Sequence, residues 1–263
     1  GNITLLRNDP QSGFNVAGVY AYNSTTGAPK NNINRGDINV YTNVSKHSSL
    51  TSTTPEADKE NRIMYRLDIG GVTSHVQLAP VGKEENFGNI TIGKADGTKM
   101  SITANGIYIG GVIGQRHTRG VGADSSAVNH GHITVNKGVT LNGFTVGVYI
   151  AGCAASNASS TTYYNYSNSG NITINGEIED EAYIGGIAGK VTGVLNGCDN
   201  TGNVTVSAKT GNSPHIGGGA GYATGNITSG SNSGTISVSS TITTGTSYVG
   251  GYVGQCYGGT VFS

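Results

Sequence analysis

The chain has 263 residues, 44 of them glycine, with no tryptophan, 11% charged residues and a formal net charge of zero. Neutral balance with scattered Lys and Arg leaves no electrostatic footprint for nucleic acid, and no apolar run reaches the roughly 18 residues of a membrane span. Glycine without a Gly-X-Y period excludes collagen, and short alternating runs of Val, Ile and Leu signal strands where low charge and low hydrophobicity would otherwise suggest disorder.

Two signatures alternate along the chain. The first is N-x-G followed by an I-T-I-like run: Asn34-Arg35-Gly36 with Ile38–Val40, Asn86 with Ile90–Ile92, Asn129 with Ile133–Val135, Asn168 with Ile172–Ile174, Asn200 with Val204–Val206, and Asn232 with Ile236–Val238. Gly1 to Leu5 reads as a copy whose Asn has been cut off. No secretory leader is visible, and a start in mid-repeat makes the chain an expected fragment of a longer polypeptide. The second signature is aliphatic-Gly-Gly-aliphatic, at Gly70-Gly71, Gly110-Gly111, Gly185-Gly186, Gly217-Gly218 and Gly250-Gly251, with weaker copies at Ala17-Gly18 and Val146-Gly147. Seven units result.

The asparagines recur at steps of 52, 43, 39, 32 and 32 residues, so the minimal unit is 32 and the earlier units carry insertions. These are expected as polar surface loops at about residues 45–62, 93–105, 115–128 and 153–165. Insertions in a repeat array usually emerge on one face, often the binding face.

An I-T-I run buries every second side chain. One unit cannot cover that apolar face alone, whereas stacked copies can. Two or three short strands per unit, separated by tight turns, predict an all-β parallel β-solenoid of about seven coils over 1–263. It is right-handed by the preference of parallel crossovers and roughly 34 Å long at ~4.8 Å per coil. One Gly of each pair is expected either to take a positive φ or to let the backbone approach a neighbouring wall. The N-x-G asparagines are expected at turns, where Asn tolerates the left-handed region and bonds local backbone. Aligned along the stack, they could also form an amide ladder. Cys153, Cys198 and Cys256 are odd in number and widely spaced, which suits buried thiols and no disulfide framework.

The run Val249-Gly250-Gly251-Tyr252-Val253-Gly254-Gln255-Cys256-Tyr257-Gly258-Gly259-Thr260-Val261 resembles the GLUG motif. So does Ile184 to Gly202, which ends Cys198-Asp199-Asn200-Thr201-Gly202. The resemblance is good over about 106–263 and weak before that; Cys153 and Cys198 sit where the family often has cysteine, and Gly230 replaces it in the next unit. It implies a secreted or surface-anchored bacterial β-solenoid, found in tandem in adhesin-like or peptidase-containing polypeptides. No agreed catalytic residues carry over.

Several side chains invite chemistry. Tyr163, Tyr164 and Tyr166, in an inserted loop, would offer a stacking platform for sugar rings if exposed; the bland alternative is that they pack the loop onto the solenoid. Arg116, His117 and Arg119 form a small basic loop that could meet an acidic sugar, but no acidic partner set recurs beside it. Glu177, Glu179, Asp180 and Glu181 lack a calcium-loop pattern and read as a solvated turn. His130 and His132 could chelate a metal only with a third ligand, and they read as replacements for the usual Ser or Thr and Asn. The outward row Thr4, Thr91, Thr134, Thr173, Thr205 and Ser237 lacks the paired grid of an ice-binding face. No cofactor, metal or catalytic set is expected. The expected function is a structural or display module of an extracellular bacterial surface protein, forming fibres or binding a glycan or host surface. Its partners would be neighbouring repeats or subunits, with no nucleic acid and no membrane span. The alternative is a β-helix polysaccharide lyase or hydrolase.

Overall fold

The computed structural model describes residues 1–6, 14–23, 31–44, 66–76, 82–116, 126–157 and 162–259. Alternation decides where each strand faces. In Ile90–Ile92, Ile133–Val135, Ile172–Ile174 and Val204–Val206 the flanking aliphatics are buried and the central Thr points to the surface. These strands stack in parallel, with Ile3–Leu5, Ile38–Val40 and Ile236–Val238, into a seven-stranded first wall.

Among the described residues the coils contribute to four further walls. The second is short: Met100–Thr103, Val139–Asn142 and Glu177–Ile178, continued by single bridges Val44↔Ile102, Ile178↔Thr210 and Thr210↔Ile242. The third holds the strand before each glycine pair, including Gly106–Gly110, Gly147–Ala151 and Ala182–Gly185. The fourth holds the strand after it, including Ile113–Arg116, Ala154–Asn157 and Ala188–Val191. The fifth leads into N-x-G and includes Lys83–Asn86, Ser126–Asn129, Thr162–Tyr164 and Val194–Asn200. All strand pairings are parallel among the described residues, and the chain is a β-solenoid of seven coils.

Two cores run along the rod. The first fills the space between walls one, two and three with Ile, Val and Leu. The second lies between walls four and five and takes Val112, Ile113, Cys153, Ile187, Leu195 and Cys198, with Tyr163 and Tyr166. Cys153 and Cys198 are buried free thiols; Cys256 is exposed, because the last coil has no neighbour to cover it among the described residues.

The asparagines form the amide ladder. Asn34 Nδ2 donates to Asn86 Oδ1 (2.8 Å), Asn86 to Asn129 (2.9 Å), Asn129 to Asn168 (2.7 Å), Asn168 to Asn200 (2.7 Å) and Asn200 to Asn232 (2.7 Å). Each amide also donates to the carbonyl of the glycine two residues on, as in Asn168 to Gly170 O (2.8 Å), and Gly170 N–H donates back to Asn168 Oδ1 (3.2 Å). None of these asparagines has a positive φ; only Asn31 and Asn165 do among the described non-glycine residues.

The glycine pair avoids positive φ as well, and close approach accounts for both positions. A Cβ on Gly185 would lie 1.9 Å from Ala188 O across the tight turn; on Gly186 it would lie 2.0 Å from Gly218 O and 2.3 Å from Asn200 Cγ. The second glycine is therefore the floor on which the Asn amide lies. Register also corrects one pair: Gly110 and Gly185 both align with Ala151, so the fourth coil's pair is Ala151-Gly152. Val146-Gly147 instead precedes the strand, with Gly147 at φ +97°.

The insertions are shorter than the spacing implied. Residues 93–105 contain the second-wall strand Met100–Thr103, and 153–165 contain Ala154–Asn157 and Thr162–Tyr164, because those residues complete walls present in the other coils. Most of 45–62 and 115–128 lies outside the described residues.

Asn168→Ala removes an amide with partners in two neighbouring coils and strands buried groups, so a loss of about 3 kcal/mol is expected. Asn171→Ala, which removes one near-surface acceptor for Asn203 N–H (2.9 Å), should cost only about 1 kcal/mol. Urea midpoints separate the two; equal losses would show that the inner ladder is not the tie between coils.

Candidate functional site

The tyrosines expected on a loop are interior. Tyr163 is 0% exposed and Tyr166 1% exposed; only Tyr164 is half-buried. Alternation along Thr162–Tyr164 turns Tyr163 inward, and Tyr166 fills the second core against it, with centroids 4.8 Å apart. Neither can stack on a sugar. Arg116 is likewise no loop residue: it ends the fourth-wall strand, fully buried, donates to Tyr166 Oη (2.7 Å) and lies 5.8 Å from the Tyr163 ring centre. His117 and Arg119 lie outside the described residues.

Reasoning from sequence missed Glu84. It sits in the fifth wall in register with Ala127, buried, and accepts from Thr73 Oγ1 (3.3 Å). Burial raises its carboxyl to about 7, against the opposing pull of the Arg116 charge. The strand Lys83-Glu84-Glu85-Asn86 carries a readable signal, since alternation back from the buried Asn86 places Glu84 inside.

The surface candidates separate clearly. His130 stacks on Phe87 (4.6 Å) and meets Ser169 Oγ (3.0 Å) and Glu85 Oε1 (3.2 Å). His132 Nδ1 accepts from Asn171 N–H (3.0 Å), in the place where Asn89, Asn171 and Asn203 accept the next coil's amide. Neither belongs to a group of three metal-ligating side chains among the described residues. Glu177 and Glu179 are exposed, and Glu179 accepts from Asn142 Nδ2 (2.6 Å).

Two larger concavities accompany a small one of about 220 Å³ at Glu177, Glu179 and Lys209. A trough of about 850 Å³ crosses the outer second wall, lined by Lys99, Lys137, Lys209, Asp96 and Glu177, without aromatic side chains. A cleft of about 460 Å³ lies beside the third wall, where an aromatic column runs along the rod. Tyr108, Tyr149, Tyr183, His215 and Tyr248 occupy one register position, with successive centroids 4.7, 4.8, 5.0 and 4.9 Å apart and rings nearly parallel. Each stands two residues before its glycine pair or the equivalent alanine, so the column was readable by aligning the units. Burial pushes the Tyr149 and Tyr183 hydroxyls up, the neighbouring Tyr and Glu181 charges adding to it, and pushes His215 down.

At the cleft, Tyr149 Oη donates to Val146 O (2.6 Å) and Tyr183 Oη donates to Glu181 Oε2. Lys190 Nζ lies 5.3 Å from the centres of both Tyr183 and Tyr222. Asp180 is raised by partial burial first and by the Glu179 and Glu181 charges second. The chain matches no family model, no curated protein and no solved structure.

Two outcomes are expected in the second core. Glu84 binds a proton more tightly folded than unfolded, so stability falls as pH rises from about 4.5 to about 7. The fall is on the order of 3 kcal/mol, and Glu84→Gln should flatten the slope in chemical denaturation at stepped pH. Tyr163 Oη is buried without a hydrogen-bond partner among the described residues, so Tyr163→Phe should leave stability unchanged or raise it. Tyr166→Phe removes a partner of a buried charge and should cost about 2 kcal/mol; equal effects of the two substitutions in thermal melts would contradict this assignment.

Proposed function

We propose that this chain is a rigid display module of a secreted or surface-anchored bacterial protein, in keeping with its resemblance to GLUG repeats. One observation carries the reading: the walls keep their register across connectors of very different length, both between the fourth and fifth walls and, over 45–66, between the second and third. In the first four coils the fourth wall joins the fifth through 24–31, 77–82, 117–125 and 158–161; in the next two, Thr192-Gly193 and Thr224-Gly225-Asn226 suffice. The flanking positions stay in register, with Val76 opposite Arg116 and Arg116 opposite Asn157. An array whose stability is set coil by coil tolerates such variation at little cost. Extracellular location and adhesion to a host or glycan surface belong to this proposal, and so does assembly with further repeats.

The rival is a polysaccharide-cleaving enzyme, which needs titratable groups converging on an open site. Glu84 is the carboxyl with the most suitable ionisation, yet it is buried away from any substrate.

Replacing 117–125 by the Thr-Gly pair that joins the same walls at Thr192-Gly193 should change stability by less than about 1 kcal/mol. It should also reduce adherence of protein-coated beads to mucin or epithelial cells. New reducing ends released from a polysaccharide panel by the unmodified protein would sink the display reading in favour of the enzyme.

A further inference from the structure

We propose that the cleft between the Gly143–Gly147 corner and the Asp180–Tyr183 corner binds the pyranose ring of a neutral sugar. The inference goes beyond the display reading and does not rest on it, since a rod can carry loops without binding sugar. The site exists because the fourth coil breaks the repeat. Its corner swings outward through Gly143-Phe144-Thr145-Val146, over a wall whose columns otherwise stack like on like.

That corner is held before any ligand arrives. Thr145 and Val146 N–H both donate to Asn105 O in the preceding coil (3.1 and 3.0 Å), Gly147 N–H donates to Gly143 O (2.6 Å), and Val148 N–H donates to Glu181 O in the following coil (2.8 Å). Gly147 takes φ +97°, and a Cβ there would lie 2.8 Å from Glu181 O. A site fixed in advance loses little conformational entropy on binding.

The lining selects the ligand class. Phe144 and Val146, each 41% exposed, give an apolar lip of the kind that covers the C–H face of a sugar ring. Asp180 and Glu181 supply carboxylate oxygens that accept from hydroxyls, and Asn212 adds an amide that both donates and accepts. Two carboxyls against the single ammonium of Lys190 disfavour uronic and sialic acids by like-charge repulsion. A cationic ligand is disfavoured differently, because Lys190 already lies over the Tyr183 and Tyr222 rings that would hold it. A metal is disfavoured because no three ligating side chains gather among the described residues. A neutral polyhydroxyl ring satisfies the whole lining.

The test is saturation-transfer NMR and calorimetry on the full chain with methyl β-glucopyranoside, methyl β-galactopyranoside, methyl α-mannopyranoside, N-acetylglucosamine and glucuronate. At least one neutral sugar should bind with millimolar affinity, and glucuronate should bind at least about tenfold more weakly. Phe144→Ala and Glu181→Gln should each weaken binding about tenfold, whereas Lys99→Ala in the larger trough should not. Melting curves should show Phe144→Ala folded, since it removes a partly exposed ring. The proposal is overturned if no neutral sugar binds at about 50 mM, if glucuronate binds equally well, or if folded Phe144→Ala binds unchanged. Bead adherence reads the display proposal separately: its loss on shortening 117–125 is independent of sugar binding at this cleft.

Discussion

One contact supports the rest of the solenoid: an asparagine amide lying on a glycine. In the fifth coil Asn200 receives a hydrogen bond from Asn168, gives one to Asn232 and one to Gly202 O, and packs where a side chain on Gly186 would strike it at 2.3 Å. The same geometry recurs with Gly71 and Asn86, Gly111 and Asn129, Gly152 and Asn168, and Gly218 and Asn232. The two signatures are thus two halves of one contact, made where the fifth wall folds back on the turn between the third and fourth. Neither half depends on the length of chain between them. Each amide is located by the amides above and below it, so the connector can lengthen without moving the contact. A buried amide row is tolerable because the hydrogen bonds it needs are supplied by its own stack.

The two cores obey different rules. The first is built mainly of Ile, Val and Leu on its three walls, with buried Thr210 as the exception on the second. The second accepts substitutions that compensate one another. Glu84, Arg116 and Tyr166 bring charge and hydroxyl into its earlier coils. Further along, Gly230 replaces the cysteine found at Cys198 and adopts φ +153°; Tyr252 fills the vacated space and donates to Cys198 O (2.7 Å). The connectors between the fourth and fifth walls join strands that bound this second core, whereas 45–66 joins walls that bound the first.

The coil count, the inward face of the first wall, the amide ladder and the parallel stack were legible, because each rests on a short pattern repeated at a recognisable interval. The fourth-coil glycine pair was misread because Val146-Gly147-Val148 mimics the motif, while the true pair carries Ala151 at its first position. The number of walls was underestimated because the second wall is only one to four residues wide and polar on its outer side. The tyrosines were assigned to an inserted loop, exposed or packed onto the solenoid, because their surroundings are polar, yet a strand of three residues suffices to turn Tyr163 inward. Burial of Glu84 follows from alternation but runs against the ordinary cost of burying a carboxyl, which its elevated ionisation reflects.

Stacked columns restrict where recognition can arise. A column of identical groups presents the same surface at every level, as the parallel Tyr108, Tyr149 and Tyr183 rings do. Such a surface holds coils together but offers a ligand no preferred level. The outer ladder behaves in the same way: His132 enters a row of asparagines and keeps the row's function by accepting through Nδ1, which requires the Nε2–H tautomer. The corner at Gly143–Gly147 differs in kind. It departs from the repeat at one level beside an unbroken column, is bonded to the coils on both sides, and exposes Phe144 and Val146 in a cleft that also holds carboxylates. In the proposed sugar site the repetitive wall supplies the rigidity, and this non-repeated corner supplies the address.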